Sequence, residues 1–497
     1  MQKFLQSFTR DIRYVIAAYA LLLLIGVLML PLRIEELLHL LAARQSSFAG
    51  FLNWLPKAPG SAPLSNLLQA PFILVLGVSR LGARLPSLLF GLGNCYLFLR
   101  LAKSVRLRQP YMALAVFLLL PTQYWAATQG LPFEQALFLL LLATLIFLQL
   151  IRTPTVKLAA WYAAALTLCL YTERLSFLPS IGYLLFLFAF VNRSHERRVI
   201  WFLLPATAAP VLLFVPYYLW ARPLVSAIWL SAPLPPGTPS SIYLQALLDF
   251  AGDSFEAYVL SVLLVVGLFA GVWGLFRVTP GTPPLRIPPT ELTRKIAIFC
   301  LFGGALSTVS VVLVLDIWNG YPFHSSQVLW AMPAIVTLTF VALDRAPEIY
   351  KRPLSWAVMI LLCLIPDARY CITPTEDLRS EAALVSPELY GDSCVVFVSE
   401  RLSRNLFLLF DPDLRTKECG NFFHHRIVLA SHAYVTPFQQ EDAESFFRGL
   451  DFKEFKRIRS GGGQIVVMVG PSETGSATPP ASPPAAASFP STPPTPR

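Results

Sequence analysis

Glu35 and Glu36 stand side by side in Arg33-Ile34-Glu35-Glu36-Leu37-Leu38-His39, directly after the first long apolar run. A carboxylate beside hydrocarbon is costly to keep charged unless water, a cation or a polar ligand meets it. Two chemistries suit the pair. A deprotonated carboxylate at a membrane surface can take a proton from an acceptor hydroxyl as a general base, or it can ligate a metal ion. The plainer alternative is an amphipathic interfacial helix whose glutamates face water beside the lipid headgroups.

The elements that must position the pair follow from composition. Of 497 residues, 55% are hydrophobic and only 14% are charged, and the mean hydropathy is +0.59. Repeated apolar stretches of spanning length then define an all-α polytopic membrane bundle. The net charge of +10 comes from basic residues clustered between the spans, among them Arg100, Lys103, Arg106, Arg108, Arg152, Lys157, Arg294 and Lys295. That is the signature of positive-inside topology, and no basic stripe with interleaved aromatics points to nucleic acid.

Threading the chain by those clusters gives about eleven spans plus one interfacial helix, with the amino terminus cytoplasmic. The spans fall at about 15–32, 80–101, 111–128, 133–151, 156–171, 175–192, 199–220, 257–276, 296–315, 326–343 and 354–370. The run Pro63–Gly77 is apolar but short, and reads as a helix in or dipping into the outer interface. No cleavage site follows the first run, so it is expected to stay as an anchor.

After residue 370 the texture changes. Strand-like Gly391–Glu400, helix-like Arg401–Phe410, strand-like Arg426–Ser431, helix-like Glu441–Leu450 and a closing strand pair predict a small α/β extracytoplasmic domain over 371–470. From Pro471 to residue 497 the chain is mostly Pro, Ala, Ser and Thr with almost no large apolar side chain, a composition that predicts disorder. Cys95, Cys169, Cys300 and Cys363 lie in apolar runs and read as packing residues. Cys371, Cys394 and Cys419 come after the last span. In an oxidising compartment Cys394 with Cys419 is a candidate disulfide, although sequence does not fix the connectivity.

The order of features in the first 190 residues resembles the GT-C polyprenyl-phosphate-sugar-dependent glycosyltransferases, of the protein O-mannosyltransferase and aminoarabinose transferase kind. The resemblance rests on the acidic pair after the first helix, Pro63-Leu64 opening an apolar helix, and Arg84-Leu85-Pro86-Ser87 with Phe90-Gly91 near the start of the next span. It implies a 1–370 transmembrane domain with Glu35 first and Glu36 second as catalytic carboxylates. The departures are specific. Relatives usually carry aspartate then glutamate at the pair, and the histidine that usually precedes the Pro-Leu helix is replaced by Gly60-Ser61-Ala62. At the third outer bend, where many relatives have Glu-Ala-Arg-Pro-Tyr, this chain has Gln129-Gly130-Leu131-Pro132-Phe133.

A departing lipid phosphate needs cationic or amide donors. Arg80, Arg84, Arg174, Arg222 and His324 are the outer-side candidates for that substrate-binding duty. Each has a plainer alternative: Arg174 can pair with Glu173 or snorkel, Arg222 can anchor at a headgroup beside Trp220, and a lone loop histidine such as His324 more often binds nothing. No organic cofactor is expected. A divalent metal is left open, and His424-His425 lacks a ligand partner at metal spacing.

The expected partners are a lipid-linked sugar donor, membrane lipids and an acceptor that the sequence leaves undefined. The expected location is the cytoplasmic (inner) membrane, with the carboxyl-terminal domain outside. The rivals are a catalytically degenerate binding or assembly subunit on the same scaffold, and a transporter of lipid-linked substrate. Transporters place ionisable residues and broken helices near the midplane, often in repeated halves, and no internal repeat is visible here.

Overall fold

A computed structural model describes residues 12–43, 45, 47–54, 63–77, 79–188, 194–221, 255–276, 289–319, 325–344, 353–372, 378–398, 404, 406–408, 410–420, 424–432, 435, 437–460 and 463–470. The chain forms two compact units, residues 1–378 and 379–497.

The first unit is helical. Its helices are α1 (Ile12–Met29), α2 (Ile34–Ala43), α3 (Phe48–Trp54), α4 (Pro63–Leu76), α5 (Arg80–Ser104), α6 (Pro110–Leu119), α7 (Pro121–Thr128), α8 (Phe133–Arg152) and α9 (Val156–Thr172). They continue as α10 (Leu178–Phe188), α11 (Ser194–Ala221), α12 (Phe255–Phe276), α13 (Pro289–Asn319), α14 (Met332–Leu343) and α15 (Pro353–Ile372).

Among the described residues five helical segments are long and apolar enough to cross a membrane: Arg80–Ser104, Phe133–Arg152, Arg197–Trp220, Phe255–Trp273 and Thr293–Leu315. Several other expected spans are shorter or broken, and the breaks have local causes. The run 111–128 divides into α6 and α7 because Leu120 is extended (φ −60, ψ 129) ahead of Pro121, which opens α7. The runs 175–192 and 326–343 each begin as a 3-10 turn, Arg174–Phe177 and Ser325–Ala331, before α10 and α14 take over.

With lipid as solvent, helices associate through close packing and small residues more than through apolar transfer. Gly182 of α10 lies against the Gly303 carbonyl of α13, and Gly271 of α12 lies against the Leu338 carbonyl of α14, so neither position has room for a Cβ. Aromatic rings fill the gaps elsewhere, as where Phe98 of α5 stacks on Phe117 of α6 with centroids 4.2 Å apart.

The second unit is built on a four-stranded sheet of β1 (Ser393–Phe397), β2 (Arg426–Ser431), β3 (Lys453–Ser460) and β4 (Gly463–Val469) in the order β1-β2-β4-β3. β1 and β2 are parallel, and the other two pairings are antiparallel. The strands fall at the strand-like runs read from the sequence. Half of the expected helix Arg401–Phe410 lies outside the described residues, and the five described ones, Arg404, Leu406, Phe407, Leu408 and Phe410, are helical. Strand β2 is interior to the sheet and buried at every position, whereas the edge strand β3 carries Lys453, Glu454, Lys456, Arg457 and Arg459, charges that discourage edge-to-edge pairing. Helices α16 (Leu378–Val385) and α17 (Pro437–Gly449) complete the unit.

Cys394 of β1 is disulfide-bonded to Cys419, 25 residues further on. Closing a loop of that length removes unfolded-state entropy corresponding to about 3 kcal/mol. Reduction, or Cys394→Ala with Cys419→Ala, is expected to speed amide exchange in β1 and β2, read by hydrogen–deuterium exchange. Unchanged protection would mean that the bond adds nothing to the sheet.

His432, 3% exposed at the end of β2, is held by burial to a pKa of about 4. Because the ordinary value is near 6.5, the unfolded chain binds the proton first. The contribution is complete above about pH 6.5 and is lost as pH falls toward 4, on the order of 3 kcal/mol. Protection factors in β2 and β4, corrected for the slower intrinsic exchange at low pH, are therefore expected to fall between pH 6.5 and pH 4, and His432→Asn to flatten that dependence.

Candidate active site

The two glutamates part company in the fold. Both lie in the first turn of α2, yet Glu36 points inward and is completely buried, whereas the Glu35 side chain keeps 22% of its surface. Arg84, near the start of α5, meets Glu36 in a two-pronged contact: Nε donates to Oε1 at 2.7 Å and Nη2 to Oε2 at 2.6 Å. Each carboxylate oxygen takes one more donor, the Gly130 N–H at 2.6 Å on Oε1 and the Arg33 N–H at 2.9 Å on Oε2. The guanidinium is equally occupied. Nη1 donates to the carbonyls of Val27 and Leu30, and Nη2 also donates to that of Pro31.

This clamp ties together three distant segments: the turn between α1 and α2, the start of α5, and the bend between α7 and α8. Burial alone would raise the Glu36 pKa. The Arg84 charge and hydrogen bonds, with the two backbone N–H groups, outweigh it and hold the carboxyl below its usual range. Gly130 belongs to the clamp for steric reasons as well, since a Cβ there would sit 2.6 Å from the Ala83 carbonyl oxygen. Gln69 of α4 finishes the joint by donating to the carbonyls of Ala83 (2.8 Å) and Gly130 (3.2 Å).

Two expectations change here. Arg84 was a candidate phosphate ligand, but all five of its N–H groups are already committed inside protein. Glu36 was the second candidate base, but its oxygens accept four hydrogen bonds in a site sealed from solvent. Their geometry is structural. Glu35 stays partly exposed, with its buried Oε2 3.5 Å from Arg33 Nε, and the half-buried Arg33 guanidinium lies 5.7 Å from the Trp125 ring centroid. Tyr370 of α15 and Gln129 of the α7–α8 bend are joined at 2.8 Å beside them. With the Gln129 amide turned over, its oxygen would also accept from Trp125 Nε1 and from Arg33 Nη1.

The other candidates are spread more widely. Arg80 lies one helical turn before Arg84 and donates through Nη1 to the Leu28 carbonyl at 2.7 Å, which staples α5 to the end of α1. Arg174 is exposed in the 3-10 turn after α9, next to Glu173. Burial raises the Glu173 pKa despite the neighbouring Arg174 charge. Arg222 and His324 lie outside the described residues.

Sequence reasoning passed over two buried groups. His39, three residues after Glu36 on α2, donates from Nδ1 to Asn66 Oδ1 at 2.8 Å. Burial depresses its pKa, so the ring is neutral, and Nε2 has no hydrogen-bond partner among the described residues. Glu134, in the first turn of α8, is completely buried and accepts from Asn94 Nδ2 (2.7 Å) and Gln123 Nε2 (2.8 Å). A carboxylate inside an apolar run is itself a functional signal, and it sits one residue beyond a bend that had been read as stripped of charge. Among the described residues, no group of three His, Cys, Asp or Glu side chains converges in a way that would hold a metal ion.

Among the described residues, apolar helices form a polytopic bundle with an acidic pair at the exit of the first, and a small sheet-based unit follows them in the chain. Two solved structures share this fold. ArnT from Cupriavidus metallidurans in the apo state matches with a TM-score of 0.57 at 11% identity, covering 91% of this chain and 97% of that one. The same protein bound to undecaprenyl phosphate matches with a TM-score of 0.52 at 13% identity, covering 93% of this chain and 99% of that one. At such identities the likeness is one of fold. No family profile matches the chain, and no curated protein matches it by sequence.

Proposed function

We propose that this protein is a GT-C-type glycosyltransferase of the cytoplasmic membrane that moves a sugar from a polyprenyl-phosphate carrier to an acceptor on the outer face. The observation that carries this reading is the division of labour in the acidic pair. Glu36, locked to Arg84, fixes α2 against α5 and the α7–α8 bend, and so holds Glu35 and Arg33 together as a partly exposed pair beside the clamp. The shared fold with ArnT, solved with undecaprenyl phosphate bound, supports a lipid-linked donor.

In the proposed reaction Glu35 takes the proton of an acceptor hydroxyl as that oxygen attacks the anomeric carbon. The bond between the anomeric carbon and the phosphate oxygen breaks, and the polyprenyl phosphate leaves with the bonding electrons. The Arg33 guanidinium, 3.5 Å from Glu35, is the cation this reading assigns to offset the charge that develops there. Arg80 and Arg174 remain secondary candidates for the lipid phosphate. The full chain, reconstituted with radiolabelled polyprenyl-phosphate sugars, is expected to transfer label to an acceptor.

One observation favours a second reading. With Arg84 fully engaged by protein, the scaffold could serve as a donor-binding subunit without turnover. Donor binding with no transfer from any polyprenyl-phosphate sugar would establish that reading instead.

The proposed sidedness has its own check. A cysteine placed at Ser61 is expected to react with an impermeant maleimide from outside the cell, and one at Ser104 only from inside. The reverse pattern would put Glu35 on the wrong face for an exported carrier.

A further inference from the structure

At the opposite ends of α5 and α8 from the Glu36–Arg84 clamp, a cavity of about 300 Å³ opens between Arg100, Lys103, Leu145, Leu148, Gln149 and Arg152. Three cations line it and no carboxylate does. The three are exposed at the surface and held in place by neighbours: Arg152 Nη2 donates to the Ser104 carbonyl at 3.0 Å, the Arg100 guanidinium carbon lies 5.9 Å from the Tyr96 ring centroid, and Lys103 Nζ lies 5.3 Å from that of Tyr111. Positive groups gathered around one concavity repel one another unless an anion enters it.

Depth identifies the anion. At 1.5 Å per residue, the helical rise from Arg84 to Lys103 is roughly 28 Å, close to the ~30 Å hydrocarbon thickness of a bilayer. If the clamp lies at one interface, the cavity lies at the headgroup level of the other leaflet. Leu148 and Leu145 line the same cavity one and two turns back from Arg152 along α8, an apolar floor that acyl chains can follow and a free ion cannot use. Basic pockets between helix ends at this level suit anionic headgroups. We infer that this cavity is a binding site for the phosphate headgroup of an anionic phospholipid. The inference stands independently of the transferase reading.

Native mass spectrometry of the full chain, delipidated and then given either phosphatidylglycerol or phosphatidylethanolamine, tests it. The expected result is preferential retention of phosphatidylglycerol. That preference should fall about fivefold for each cation removed and about a hundredfold in the Arg100→Gln, Lys103→Gln, Arg152→Gln triple variant. An Arg100→Lys, Arg152→Lys variant should keep it. Should the triple variant fail to fold, the single Arg100→Gln and Arg152→Gln variants carry the test through their fivefold losses. Equal retention of the two lipids, or a preference that survives removal of the cations, would overturn the inference. Displacement of the lipid by inorganic phosphate would also overturn it, by making the cavity a site for soluble anions.

Discussion

Arg84→Ala is expected to cost about 3–5 kcal/mol and to remove most folded protein from detergent extracts, read as loss of the monodisperse peak and a lower melting temperature. The substitution leaves a carboxylate at zero exposure with only the Arg33 and Gly130 N–H groups to meet it. It also strips the donors from the carbonyls of Val27, Leu30 and Pro31. Glu36→Gln should fail almost as badly, because it strands the guanidinium charge. A hydrophobic double replacement is not expected to rescue the fold. Isolated buried ion pairs often tolerate such replacement, but here the carbonyls and amides around the pair would stay unsatisfied at about 1–3 kcal/mol each. Wild-type melting behaviour in Arg84→Ala would contradict the clamp.

The second large effect concerns Glu35. Glu35→Gln keeps shape and volume but removes the base, so transfer of label should fall about 10²–10⁴-fold while melting temperature and donor binding stay close to wild type. Glu35→Asp separates reach from charge. The carboxylate would be withdrawn by about 1 Å, a displacement that can cost about a hundredfold in a site built for the longer side chain. An Asp variant as active as wild type would mean that the site does not depend on the reach of Glu35.

How much of this was legible in the sequence depends on how local each feature is. The acidic pair, the helix opened by Pro63 and the short apolar strand-like runs around Val395 and Val428 are written in neighbouring residues and were readable as such. The division between Glu35 and Glu36 was not, because it is decided by partners 48 and 94 residues away. Arg84 was a candidate phosphate ligand because the threading of the spans put it on the outer side. Its burial among the last carbonyls around α1 has no local sequence mark.

Gly130 illustrates the same point. Its bend was visible as a departure from relatives that carry charge there, whereas the backbone N–H that serves Glu36 is invisible in any alphabet of side chains. Other misses left a mark that was passed over. Pro121 interrupts the run 111–128 in plain view, and Glu134 is a carboxylate inside an apolar stretch.

The most direct test compares Glu35→Gln and Glu36→Gln in one preparation, measuring melting temperature and label transfer from a polyprenyl-phosphate sugar together. The predicted result is a Glu35 variant that melts like wild type and transfers label about 10²–10⁴-fold more slowly, beside a Glu36 variant that is lost through misfolding. Full transfer by Glu35→Gln, or a stable Glu36→Gln protein that has lost only its activity, would contradict the assignment of chemistry to the first carboxylate and architecture to the second.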